Sequence, residues 1–316
     1  MPRIDFHALD GPRSAVLAHV ASSRRRGYRV RLTVPGASLD PLQESYRTCR
    51  RLQRRHDPTY WCATACLPRE VRPAVHALYG FVRGADEIVD GPRRLPGSAA
   101  RRAALDLWAA ELARGLEAGH SEHPVIAALV DAGRRHRLPL HLLDCYMASM
   151  RVDCDEPVRI SSEADLDRYM DGSAATVGRI MASLLQAPED LHERFGRLGV
   201  AFQLTNFVRD VALDWELDRI YLPGLAEDDL RSGDATAALR ERVASHVARA
   251  RALFAETAPV TDALMPTMRS GVRVAIGVYA RVLDRVERNH FDVVGARVAL
   301  APWEGARAAA GALLVR

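Results

Sequence analysis

Four aspartates in two pairs are the residues of this chain best spaced to do chemistry. Asp86 and Asp90 lie four apart in ALYGFVRGADEIVDGPRR, and Asp210 and Asp214 lie four apart in QLTNFVRDVALD. Residues three and four apart on an α-helix share a face, so each pair makes an acidic stripe. The second stripe runs back through Asn206 to Gln203, and Arg83 sits one turn before Asp86. Exposed carboxylates at this spacing repel by roughly 0.2–0.5 kcal/mol. Buried, they cost far more unless a cation lies between them. A hard cation that prefers oxygen ligands and keeps some of its water describes Mg²⁺. Two such stripes facing each other would hold Mg²⁺ ions, grip a diphosphate and stabilise it as a leaving group. A single Asp-x-x-x-Asp is ordinarily a solvated helix face. The repetition carries the reading.

The elements that must position these stripes read as helices. Residues 203–214 contain no Pro or Gly, and Phe202, Leu204, Phe207, Val208 and Val211 occupy the packing azimuths. Val71, Val75, Leu78, Val82 and Val89 give the first stripe its helical period, which Gly91-Pro92 ends. Residues 41–56 form a helix, and HDPTYW is a break. After the loop GPRRLPG, Ser98 is the expected N-cap of a scaffold helix carrying Leu105, Trp108, Leu112 and Leu116. Further helices are expected over 124–135, 139–151, 163–185, 235–257, 267–289 and 302–315. The third of these holds the small run Gly172, Ser173, Ala174, Ala175, Thr176, Val177 and Gly178, which suits close helix packing or a wall kept free of bulk. Asp153, Asp155 and Glu156 precede Pro157 outside the register of either stripe, and read as a solvated turn. No β-type alternation is evident, so the fold class is all-α.

Composition is that of a globular chain: 316 residues, 48% hydrophobic and 27% charged. All 44 basic residues are Arg, against 40 acidic ones, so the net charge of +4 is mild. Five cysteines without a Cys-x-x-Cys point to a reducing cytosol, with Cys62 and Cys66 as small core residues. No run approaches the roughly 18–20 apolar residues of a membrane span. Residues 1–39, with Arg24, Arg25, Arg26, Arg29 and Arg31, read as a basic, poorly ordered N-terminal extension to one domain over 40–316. No apolar h-region follows these charges, so they are not a secretory signal.

Three stretches in order, YWCATACLPREVRPAVHALYGFVRGADEIVD, YMDGSAATVGRIMASLL and QLTNFVRDVALDWELDRIYLP, resemble the squalene and phytoene synthase family. DEIVDGP and YMDGSAATVG are most similar to bacterial phytoene synthases, and the resemblance runs from Tyr46 to Arg297. It implies a single-domain type I isoprenoid synthase fold with a central cavity between helices. It makes Asp86, Asp90, Asp210 and Asp214 catalytic and, with Asn206, ligands of Mg²⁺ (or Mn²⁺). It puts His56, Thr59, Arg83, Gln203, Arg219, Tyr221, Tyr279 and Arg297 around the diphosphates, and Tyr169, Ala175 and Val177 along the prenyl chain. The chain departs from the family at Asp57-Pro58, where phytoene synthases usually carry Gly and a basic residue. It also has Ala175 where Gly is common, and Leu213, Leu217 and Asp218 in place of Glu and an Arg-Gly pair.

The reaction implied is head-to-head condensation of two geranylgeranyl diphosphates to phytoene, through the cyclopropyl compound prephytoene diphosphate and without NADPH. Three other readings stand beside it. Farnesyl diphosphate would give squalene, dehydrosqualene or presqualene diphosphate. A terpene cyclase would act on one prenyl diphosphate, because Asn206, Asp210 and Asp214 share the spacing of that class's Asn/Ser/Glu triad. A non-catalytic helical partner protein is the third. The expected partners are prenyl diphosphates and not nucleic acid. The protein is expected in the cytoplasm, where a hydrophobic product implies peripheral contact with the inner membrane surface. Cavity depth would choose between C15 and C20 substrates, and depth is a tertiary property.

Overall fold

The computed structural model describes residues 40–295 and 298, with Thr59 described by its backbone only. Arg297, residues 1–39 and the expected helix over 302–315 lie outside the described residues. Twelve α-helices are described: α1 (Pro41–His56), α2 (Pro58–Ala65), α3 (Arg72–Val89), α4 (Ser98–Ala118), α5 (Pro124–His136), α6 (Leu143–Val152), α7 (Glu163–Met170), α8 (Thr176–Leu184), α9 (His192–Glu216), α10 (Glu227–Ser232), α11 (Ala237–Thr257) and α12 (Pro266–Arg288). Two short strands, β1 (Val158–Arg159) and β2 (Arg219–Ile220), pair in parallel with Val158 opposite Arg219. The class is all-α.

Local chemistry sets the helix boundaries near the site. Asp40 accepts from Leu42 N at 3.1 Å and Pro41 opens α1; Asp57 accepts from Tyr60 N at 2.7 Å and Pro58 opens α2. The expected break at HDPTYW is therefore a single residue, because Asp57 both ends α1 and caps α2. At α4 the cap is Gly97, with φ +84°, and not Ser98. Ser98 lies inside the helix and its hydroxyl donates to Asp155 at 2.5 Å. Cys62 is exposed and not a core residue, whereas Cys66 is half-buried against the core; all five cysteines are free.

α9 runs through the centre, burying Leu204, Phe207, Val208 and Val211. α8 lies so close to it that a Cβ on Gly178 would fall 2.2 Å from the Phe195 carbonyl oxygen. A Cβ on Gly199 would fall 2.5 Å from that of Ala174. Glycine is thus required on both sides of this contact. The expected helix over 163–185 is interrupted: Asp171–Ala175 form a π-helical stretch between α7 and α8. That wider turn inserts an extra residue and re-aims the side chains that follow.

Candidate active site

The first stripe lies at the C-terminal end of α3, with Asp90 as the residue that ends the helix. Tyr146 on α6 donates its hydroxyl hydrogen toward Asp86 Oδ1 and the Val82 carbonyl, both at 3.2 Å. Burial and then the charge of Asp90 push the Asp86 carboxyl up to about 7. Arg83, one turn earlier, pairs with Glu87. His56 ends α1 near this pair: burial and then the Arg83 charge hold its pKa below the usual value.

The second stripe follows α9, whose other azimuths are filled by the buried apolar residues above. Gln203, Asn206, Asp210 and Asp214 are all half-buried. Asp210 receives a two-pronged ion pair from Arg209, at 2.8 and 2.5 Å. Burial and then Asp210 raise the Asp214 pKa well above the carboxylate range; Asp90 and Asp153 push it the same way, while Arg219 opposes them. The charge on α3 is therefore felt on α9. Asp90 of the first stripe and Asp214 of the second both lie beside Arg219.

Arg219 stands between them. It is 2% exposed, its Nη1 is 2.5 Å from Asp90 Oδ1, and its Nη2 donates to the Asp153 carbonyl at 2.9 Å. The β1–β2 pair holds it there: Val158 N donates to the Asp218 carbonyl at 3.1 Å and Ile160 N to that of Ile220 at 2.9 Å. Tyr221 stacks on Phe207 at 4.3 Å, and Tyr169 lies 5.3 Å from Tyr221. Both tyrosine hydroxyls donate to Asp153, at 2.5 and 2.7 Å. Asp153 is thus a buried residue of the site, 2% exposed, and not part of a solvated turn. Its missing helical register with the stripes concealed this, because it reaches the site from the end of α6. The only signal in the sequence was an acidic residue before the Pro157 turn.

A cavity of about 240 Å³ lies between five helical segments. On α9 the lining runs from Asn206 and Gln203 through Phe202 and Leu198 to Phe195; on α12 it runs from Tyr279 through Ala275 to Val272 and Gly271. Asp57, Tyr60 and Leu67 line it from α2 and its flanks, Val82, Tyr79 and Val75 from α3, and Ser173 to Leu185 from the π-helical stretch, α8 and its end. Phe195 to Asn206 spans about 16 Å at the helical rise of ~1.5 Å per residue. Val177 lines the cavity. Ala175 does not: it faces Gly196 of α9, and Ser173 and Ala174 line the wall instead, as the π-helical stretch dictates. Tyr169 is likewise committed to Asp153, outside the cavity lining. Tyr279, packed 4.6 Å from Phe202, is pushed up to about 12 by burial and then by Asp57.

The donor set suits a divalent cation of the Mg²⁺ or Mn²⁺ kind. It consists of carboxylates and one amide oxygen, Asn206 Oδ1, which is buried and accepts no hydrogen bond. Among the described residues, no three acidic, His or Cys side chains are already gathered into a metal-binding group. Asp90 and Asp210 are instead turned to Arg219 and Arg209.

Residues 53–304 match the family model described as squalene/phytoene synthase. Phytoene synthase of Arthrospira platensis is 32% identical over 282 residues, 83% of this chain and 90% of the relative. Phytoene synthase of Thermus thermophilus is 32% identical over 284 residues, 85% of this chain and 92% of the relative. Among solved structures, a ligand-bound dehydrosqualene synthase superposes with a TM-score of 0.78 at 23% identity, covering 87% of this chain and 98% of that one. The squalene synthase HpnC of Alicyclobacillus acidocaldarius superposes with a TM-score of 0.71 at 27% identity, covering 79% and 96%.

Proposed function

Because the chain belongs to the squalene/phytoene synthase family and is a prenyltransferase, we propose that it joins two geranylgeranyl diphosphates head to head, giving phytoene through prephytoene diphosphate. The observation that supports this reading is an apolar cavity whose lining begins at Asn206 and Gln203 of the second stripe, beside an Arg219 that pairs with Asp90 of the first. Asp86, Asp90, Asn206, Asp210 and Asp214 would hold Mg²⁺, which supplies Lewis-acid stabilisation of a departing diphosphate. Arg83 and Arg209 bring guanidinium forks to the same end, a geometry matched to paired phosphate oxygens. Asn206 and Tyr279 orient the head of the substrate, and Gln203 lies one turn deeper.

The cavity walls do the rest. Phe202, Leu198, Val177 and Val75 offer the prenyl chain an apolar surface and keep water from allylic cations that would otherwise be quenched. The first allylic cation alkylates the second chain to the cyclopropyl diphosphate, and loss of that second diphosphate leads to the C40 hydrocarbon. Proton removal needs no nicotinamide.

Incubation with labelled C15 and C20 diphosphates tests this. A C40 hydrocarbon from the C20 substrate, with release of both diphosphates, is the expected outcome. A C30 product in preference would move the assignment to farnesyl diphosphate. A product with the carbon count of a single substrate would replace condensation by cyclisation.

A further inference from the structure

Part of the apolar lining of the cavity comes from the chain where α2 gives way to the turn before α3. Leu67, two residues past the end of α2, lines the cavity and is 5% exposed. The chain reaches the surface immediately afterward, with Arg69 and Glu70 exposed. Leu67 lies over Gly271 in the first turns of α12. A Cβ built on Gly271 would fall 2.4 Å from Leu67 Cδ2 and 2.6 Å from its Cγ, with the Ala63 carbonyl oxygen 3.1 Å away. Leu67 occupies a notch that exists only because residue 271 has no side chain. The other apolar residues at this end, Val75, Leu185 and Val272, sit on or at the ends of helices packed into the body of the fold. Leu67 stands on the turn, with solvent two residues beyond it.

We infer that Leu67, seated in the Gly271 notch, is the floor that sets the longest prenyl chain the cavity accepts. This deepens the proposed condensation and rests on it. Removing the leucine side chain extends the cavity toward the surface, whereas a methyl on residue 271 drives Leu67 inward and shortens it. The two changes oppose each other: with both made, the new methyl occupies part of the space that the leucine vacated.

The test compares kcat/KM for C15, C20 and C25 prenyl diphosphates, each supplied alone with Mg²⁺, in the parent, Leu67→Ala, Gly271→Ala and the double variant. Thermal melts establish folding of each. Leu67→Ala is expected to raise the C25:C20 ratio about tenfold and Gly271→Ala the C15:C20 ratio about tenfold, the scale on which an apolar pocket discriminates chain length. The double variant should return toward the parental ratios, which general destabilisation would not produce. Leu67→Val, a milder change, should shift the ratio the same way as Leu67→Ala by a smaller factor. An active parent whose single variants keep both ratios within about twofold of its own would overturn the floor while leaving the condensation intact. A parent that releases diphosphate from none of the three would remove the condensation and the floor together.

Discussion

Asp153 accepts hydrogen bonds from Tyr169 on α7 and Tyr221 just after β2, and its backbone holds Arg219. Burial, opposed chiefly by Arg219, pushes its carboxyl up to about 7. Asp153→Ala should cost about 1–3 kcal/mol for each hydroxyl left without an acceptor, read from urea unfolding. Asp153→Asn, which keeps an acceptor oxygen, should lose less. Asp210 is a different kind of residue, half-buried and held by its neighbour Arg209. Asp210→Ala should lower kcat by about 10²–10³, the scale of losing one group that stabilises transition-state charge, while the melting temperature holds. Turnover at the parental rate would remove Asp210 from the chemistry. His76 supplies a pH signature far from the stripes. Its Nδ1 donates to Gln53 Oε1 at 2.5 Å, since Gln53 Nε2 itself donates to Thr64, and burial pushes its pKa down to about 4. The unfolded chain binds that proton more readily, near ~6.5. The histidine's contribution to stability is therefore complete above about 6.5 and falls as pH drops toward 4. His76→Gln should flatten the pH dependence of the melting temperature across that window; an unchanged slope would contradict the assignment.

At the scale of elements, the contact between α8 and α9 controls where the second stripe sits. Gly178 and Gly199 face main-chain carbonyl oxygens, which cannot swing aside as a flexible side chain can. Gly178→Ala should therefore destabilise by about 1–3 kcal/mol through overpacking and lower turnover with C15 and C20 substrates alike. A change in substrate ratio instead would mean that this contact shapes the cavity and does not only position α9. The 153–157 turn is held just as firmly. Arg101, 3% exposed, donates to the Cys154 carbonyl at 2.7 and 3.1 Å, Arg102 pairs with Asp155 at 2.5 Å, and Arg94 and Arg101 reach Glu156 at 3.2 and 3.3 Å. Three arginines from the loop after the first stripe and the start of α4 thus anchor the turn that carries Asp153. Small as it is, the β1–β2 pair completes the arrangement by fixing the backbone of Arg219.

The whole molecule brings Asp90 of α3 and Asp153 to Arg219, pairs Asp210 with Arg209, and sets Asn206 and Gln203 of α9 in the lining of an apolar cavity. On the proposed reading, a divalent cation completes the neutralisation of the stripe carboxylates. Turnover should depend wholly on Mg²⁺ or Mn²⁺: excess EDTA should abolish diphosphate release and added Mg²⁺ restore it, while undiminished release in EDTA would contradict the cation's role. No helix among the described residues is long and apolar enough to cross a membrane.

Helical period and turn chemistry were enough, from the sequence alone, to locate α1, α3, α5, α11, α12 and the C-terminal half of α9, and to place Asp210 and Asp214 on one helix face and Asp86 and Asp90 at one helix end. Both are local properties, repeated every three or four residues, and three ordered motifs added the family. Which face of α8 meets the cavity was not local, because the π-helical stretch shifts Ser173 and Ala174 into the wall and Ala175 out of it. Asp153 looked like any acid before a proline until α6 carried it beneath two tyrosines. Arg219 could be matched by motif, but its partners Asp90 and Asp153 lie 129 and 66 residues earlier in the chain. The partners of Arg219, the lining of the cavity and the seating of Leu67 against Gly271 depend on contacts between segments distant in sequence. Only packing in three dimensions decides those distances.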